Sequence, residues 1–177
     1  EETTYIVKEV GTRAVVNLNN TVIALNAPDT LAGGFSEAYG INDNNQVVGY
    51  GTTQFTSETL QTSIDECADE DSRGDRPIES CLSSIIGSFS SSVSAFAQLR
   101  GLIWQLDDQG QVIETQQLGI LFEPEADDTK NYSSQALAIN DNGIAVGISN
   151  GLYIEDDVNV VRNFGVIFNQ NDIINLT

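Results

Sequence analysis

A chain of 177 residues is long enough to bury a core without metals or a lattice of disulfides, and 40% hydrophobic content is that of a globular protein. Seven Lys and Arg face 26 Asp and Glu; the formal charge of −19 repels nucleic-acid backbones and anionic membranes and favours cations, basic partners or plain solubility. There is no His, which removes Ser-His-Asp and Cys-His nucleophile activation and, with two Cys, the usual zinc-finger sites; no run approaches the roughly 18 apolar residues of a membrane-spanning helix.

The chain opens Glu1-Glu2-Thr3-Thr4 and contains no Met, so loss of the initiator by signal-peptide removal or trimming is expected. Tyr5–Val10 reads as an isolated strand. Ala14–Leu18 and Thr21–Leu25 flank Asn19-Asn20, a pair that tolerates left-handed backbone and signals a hairpin.

Next comes the first copy of an internal repeat. Ala38-Tyr39-Gly40-Ile41-Asn42-Asp43-Asn44-Asn45-Gln46-Val47-Val48-Gly49-Tyr50 aligns without a gap on Ala136-Leu137-Ala138-Ile139-Asn140-Asp141-Asn142-Gly143-Ile144-Ala145-Val146-Gly147-Ile148. The Asn-Asp-Asn segments are turn formers between β-branched runs, so each copy starts as a hairpin. Gly49 and Gly147 fall inside strands, which points to close backbone approach or a bulge.

The pattern then turns helical over residues 55–99. Leu60, Ile64, Cys67 and Ala68 share one face, with Ser57 as N-cap. Leu82, Ile85, Ile86, Phe89, Val93, Phe96 and Leu99 form a second stripe, with Pro77 in the first turn; a run of Ser at 88–94 lowers helix propensity there. A Cys67–Cys81 bridge would close a loop of about 15 residues, worth about 3 kcal/mol in the chain-entropy model, and fits an oxidising compartment. The segment is expected to be a stapled helical hairpin.

The second half of each copy follows. Arg100–Leu106, the turn Asp107-Asp108-Gln109-Gly110 and Gln111–Glu114 match Asn163–Phe168, Asn169-Gln170-Asn171-Asp172 and Ile173–Leu176; Gly101 aligns with Gly165 and Trp104 with Phe168. The expected fold class is mainly β, with about a dozen strands in repeated four-stranded antiparallel units that hide their faces on one another, in a single domain over 1–177 with the helical insertion at 55–99. Two units alone leave open edges, so further repeats, self-association or a sandwich of the two sheets are the alternatives.

Candidate sites are few. Asp69, Asp71 and Asp75 resemble a calcium loop, but Arg73 stands where an oxygen ligand is needed. Arg73-Gly74-Asp75 also matches a cell-adhesion tripeptide. Glu123, Glu125, Asp127 and Asp128 form a second acidic cluster, and Glu155, Asp156 and Asp157 a third; paired carboxylates could serve as glycosidase acid and base if a cleft gathered them. Trp104 reads as a core residue rather than a sugar-stacking platform. No catalytic or cofactor-binding residue is identified, and no phosphate loop, dinucleotide fingerprint or Gly-x-Ser-x-Gly appears.

The segments "AYGINDNNQVVGY" and "ALAINDNGIAVGIS", followed by "GLIW" and "GVIF", resemble the HAF-type extracellular repeats of secreted γ-proteobacterial proteins. "TYIVKEVG" resembles the strand with which such proteins open. Asn45 stands where the turn usually has Gly, and Arg-Gly-Leu and Phe-Gly-Val stand where His-Ala-Phe is usual. The resemblance implies bacterial export and propeller-like blades, and supplies no catalytic residues. The resulting expectation is a non-enzymatic, secreted, periplasmic or cell-surface module for binding or structure, without a resident cofactor and with an extracellular ligand or protein as partner. A calcium-dependent adhesion or carbohydrate-binding protein is the first alternative, and an acid-pair hydrolase the second.

Overall fold

The computed structural model describes residues 12–18, 20–28, 35–55, 58–89, 97–122, 124, 131–155, 158–169 and 172–176. Among them are ten strands and three helices: β1 (Ala14–Leu18), β2 (Thr21–Leu25), β3 (Ser36–Ile41), β4 (Gln46–Phe55), α1 (Glu58–Ala68), α2 (Glu70–Arg73), α3 (Ile78–Phe89), β5 (Ala97–Leu106), β6 (Val112–Gln117), β7 (Ser134–Ile139), β8 (Ala145–Glu155), β9 (Val158–Asn169) and β10 (Asp172–Asn175). The expected strand at Tyr5–Val10, the cap Ser57 and the stripe residues Val93 and Phe96 lie outside the described residues.

The repeat is a structural repeat. The strands form antiparallel meanders in the orders β3-β4-β5-β6 and β7-β8-β9-β10. Registers coincide residue by residue: Val47 faces Trp104 as Ala145 faces Phe168, and Val48 faces Ile103 as Val146 faces Ile167. Both first strands break register at the same place, between Ala38 and Gly40 and between Ala136 and Ala138. Opposite those bulges stand Gly49 and Gly147. A Cβ at Gly49 would run into the carbonyl of Glu37, and one at Gly147 into that of Gln135, so the strand-interior glycines mark close backbone approach. Asn45 and Gly143 occupy the same left-handed turn position, with φ 58 and φ 77. Asn is the non-glycine residue that adopts this region most readily, so its substitution for Gly leaves the turn unchanged.

Three β layers stack. β1 and β2 form a hairpin, and Asn20 in its turn is left-handed. Its Ala14 and Leu25 pack with Val47, Leu102, Trp104 and Leu106 on one face of the first four-stranded sheet. The opposite face of that sheet presents Val48 and Ile103 to Ala136, Ala145, Val166 and Phe168 of the second, with Leu118 buried among them. Strand alternation explains the division: neighbouring residues such as Val47 and Val48 point to opposite faces, and both faces of this sheet are covered.

The insertion sits at the tip of the β4–β5 hairpin, where the second unit has the short β8–β9 connection. The ladder reaches further than the helical pattern allowed for. Leu99 pairs with Thr52 and Ala97 with Phe55, so residues 97–99 belong to β5 and the apolar stripe expected to run through Leu99 as helix is corrected there. The described part of that helix ends at Phe89. Cross-strand hydrogen bonding to a central strand outweighs the local 3.6-residue spacing. The disulfide joins Cys67 in the last turn of α1 to Cys81 in the first turn of α3. Leu60, Ile64, Cys67 and Leu82 form a separate small core with Ile78 and Ile85. No described helix is long and apolar enough to cross a membrane.

Candidate functional site

The recurring polar residues meet at the repeat turns. Asn42 Oδ1 accepts hydrogen bonds from the backbone N–H groups of Asn44 (3.1 Å) and Gln46 (2.9 Å), and Asn140 Oδ1 does the same for Asn142 (3.0 Å) and Ile144 (3.0 Å). Each Asn thus supplies the acceptor that holds its own turn. The two turns also lie one on the other. Asn42 Nδ2 donates to the Asn140 carbonyl (2.9 Å), the Asp43 N–H to Asp141 Oδ1 (3.1 Å), and Asn44 Nδ2 to the Asp141 carbonyl (2.6 Å). The Ile-Asn-Asp signature is therefore a polar ladder between units.

The acidic tip is arranged differently from a calcium loop. Asp69 is the N-cap of α2: one carboxylate oxygen accepts from the Asp71 N–H (3.0 Å) and the other from the Ser72 hydroxyl (3.0 Å). Asp71 and Asp75 are exposed, and the three carboxylates are not brought together as a ligand set. Among the described residues no group of three or more His, Cys, Asp or Glu is placed to hold a metal. Arg73 Nη1 donates to the Cys67 carbonyl (2.7 Å), and its guanidinium lies 3.7 Å from Glu70, so the arginine of the adhesion-like tripeptide closes the end of α1. Glu123, Glu125, Asp127, Asp128, Asp156 and Asp157 lie outside the described residues, as does the Glu155 side chain.

Trp104 is fully buried and donates from Nε1 to the Asn26 carbonyl (2.8 Å), in keeping with its alignment on Phe168. Arg100 is buried too, and donates to the Tyr132 and Leu99 carbonyls.

An aromatic patch that the sequence did not single out lies on β3 and β4. Tyr39 and Tyr50 stack with centroids 5.9 Å apart and planes 8° from parallel, and Phe35 meets Tyr50 edge-on at 5.5 Å. The Tyr39 hydroxyl donates to Glu37 Oε2 (2.6 Å). Burial, reinforced by hydrogen bonding to Glu37 and Tyr50, raises the Tyr39 pKa well above the usual phenol value; burial raises that of Tyr50 as well. Tyr39 remains 47% exposed, so a ring face and a carboxylate are presented side by side at the surface. Tyr39 sits in the bulge and Tyr50 diagonally across from it, at positions filled by Leu137 and Ile148 in the second copy.

Fold and site together define a mainly β protein of stacked, duplicated four-stranded units carrying a disulfide-stapled helical insertion. The chain belongs to the family described as protein of unknown function (DUF3466), whose model matches residues 1–175. No curated protein and no solved structure matches it.

Proposed function

We propose that the protein is a non-enzymatic, exported module of the HAF extracellular-repeat type, used for binding or as surface structure, with propeller-like stacking of its sheets. What supports this reading is the use of the residues that recur in both copies of the repeat. Asn42, Asp141 and their equivalents are hydrogen-bonded turn to turn, and Trp104 and Phe168 fill the layers, so the recurring chemistry serves stacking. The Cys67–Cys81 bridge supports an oxidising compartment. Trapping of thiols in intact cells tests export: a bridge that resists alkylation until reductant is added agrees with it, whereas two freely alkylated cysteines reject it. Turnover of ester, phosphoester or glycoside substrates that co-purifies with the protein and disappears on carboxylate substitution would reject the non-enzymatic reading.

A second reading, carbohydrate binding, is favoured by the Tyr39–Tyr50–Glu37 patch. A stacked ring with an adjacent carboxylate offers a sugar both an apolar face and a hydrogen-bond acceptor. Titration with chito- and cello-oligosaccharides, read by tyrosine fluorescence and calorimetry, tests it. Binding lost in Tyr39→Ala and weakened in Glu37→Gln is expected, and unaltered binding in both refutes it. Calcium titration followed by melting separates the adhesion alternative, because a site of useful affinity would raise the melting temperature in proportion to ln(1 + [Ca]/Kd).

A further inference from the structure

The two layer contacts in this protein are made by the same devices, and the second sheet carries those devices once more, with no described element laid over them. At each contact an underlying layer offers an apolar face, a leucine and a backbone amide to the next. The leucines are Leu25, Leu118 and Leu176. Leu25 pairs with Ala14, and Leu118 and Leu176 donate their N–H groups to the carbonyls of Gly101 and Gly165, so Ala14, Gly101 and Gly165 are equivalent. Leu25 is buried under the first four-stranded sheet (0% exposed) and Leu118 under the second (3%), but Leu176 is 58% exposed.

The amides repeat the pattern. The Ala14 N–H donates to the Ser36 hydroxyl (3.0 Å) and the Gly101 N–H to the Ser134 hydroxyl (3.0 Å), each serine being the first residue of the covering sheet. The third equivalent amide belongs to Gly165. The apolar face does likewise: Val48 is fully buried against the second sheet, while its equivalent Val146 is 41% exposed and Ile174, across Ile167 in the same row, is exposed as well. The turn ladder has a free step at the same side. Asn42, Asp43 and Asn44 donate onto the second turn, and their equivalents Asn140, Asp141 and Asn142 are exposed.

We propose that this open face is a docking surface for one further unit of the same repeat, supplied in series with the second as the second is with the first. The occupant is specified by what the two existing contacts use. It brings a serine hydroxyl to the Gly165 amide, an Ala and aromatic face like that of Ala145 and Phe168 onto Val146 and Leu176, and an Asn-Asp turn whose backbone and aspartate accept from Asn140 and Asp141. A second copy of this chain does not fit that description. Its first sheet, which has the serine and the aromatic, already carries the β1–β2 hairpin on that face, and the hairpin's own outer face has Asn17 where the sheets have Trp104 and Phe168. Nearest-neighbour stacking of this kind makes each added unit stabilise the one beneath it.

The test extends the full chain by one unit, with residues 119–177 placed directly after Leu176, since Leu176 stands where Leu118 does. The extended chain is expected to unfold in urea in one transition at a higher midpoint than the parent, with the Asp141 amide newly protected from hydrogen exchange. Val146→Asp is expected to leave the parent midpoint nearly unchanged and to lower that of the extended chain clearly, as Val48→Asp does in the parent. Two separate transitions with the parent midpoint unmoved would overturn the proposal, as would an equal effect of Val146→Asp in both chains. Association of the parent chain with itself, measured by light scattering and abolished by Val146→Asp, would also overturn it, by giving the face to a second copy.

Discussion

Leu118 and Leu176 are the same residue type at equivalent positions, each donating its N–H to the matching glycine carbonyl, and their burial differs because one has a sheet over it and the other has no described element over it. Alanine substitution of each therefore weighs the contact between the two four-stranded sheets with propensity and register held constant. Leu118 is enclosed with Val48, Ile103, Ala136 and Phe168, so Leu118→Ala removes buried methylene and methyl groups and leaves a cavity between two sheets that are each pinned by their own ladders. Such a site relaxes little, and a loss of about 3 kcal/mol follows, from the 2–5 kcal/mol range for buried Leu→Ala. For a chain of this size that lowers the melting temperature by roughly 6–12 °C. Leu176→Ala removes a side chain already in water and should change stability by less than about 0.5 kcal/mol. Urea titration followed by the fluorescence of Trp104, the single tryptophan, reads the β stack directly, because Trp104 lies on the face of the first four-stranded sheet that packs on β1 and β2, opposite the face that Leu118 joins. Equal effects of the two substitutions, or a negligible effect of Leu118→Ala, would refute the layered packing.

Gly147→Ala should cost about 1–3 kcal/mol, since its Cβ meets the backbone of Gln135 rather than a movable side chain; chemical denaturation checks this. Replacing both Cys67 and Cys81 by Ser should melt the insertion preferentially, with loss of helical circular dichroism and little movement of the Trp104 midpoint, because the helices have their own core. Asn42→Ala should be more destabilising than Asn140→Ala by about 1–3 kcal/mol, the worth of the two bonds that Asn42 Nδ2 donates, to the Asn140 carbonyl and to Gln46 Oε1, as a pair of urea curves would show. Alkaline titration should find Tyr39 and Tyr50 ionising later than ordinary phenols. Because their folded pKa values are raised, the unfolded chain releases these protons first, so their contribution is intact below pH 10 and is lost as pH rises beyond it; absorbance of tyrosinate in wild type and Tyr39→Phe measures both.

Much of this fold was legible because the sequence writes the same local instruction twice. Asn42 and Asn140 announce turns by residue type, Gly49 and Gly147 announce close approach, and apolar alternation announces strands; all three follow from interactions within a few residues or one ladder rung. Leu99 was misplaced for the opposite reason. Its spacing from Phe89 suits a helix, but Thr52 on a distant strand decides its conformation. At the acidic tip the spacing of Asp69, Asp71 and Asp75 resembles that of a ligand loop, and the local need there is a helix cap, which Asp69 supplies to a four-residue helix. The Tyr39–Tyr50 pair was missed because it depends on a bulge, which shifts a side chain by one place and leaves no mark in composition.

The division between repeated and unrepeated residues then carries functional information. Polar residues present in both copies are engaged with the neighbouring turn or with their own backbone, so their recurrence reports the demands of stacking. Residues that differ between copies are free of that demand. Tyr39, Tyr50 and Glu37 stand where the second unit has Leu137, Ile148 and Gln135, and the helical insertion stands where the second unit has a short connection. A duplicated scaffold in which every layer must present the same face to the next leaves individuality to its bulges and hairpin tips. A ligand-specific effect should therefore map to Tyr39, Glu37 or residues 58–89, and one that maps instead to Asn140 or Asp141 should act through the stability of the stack.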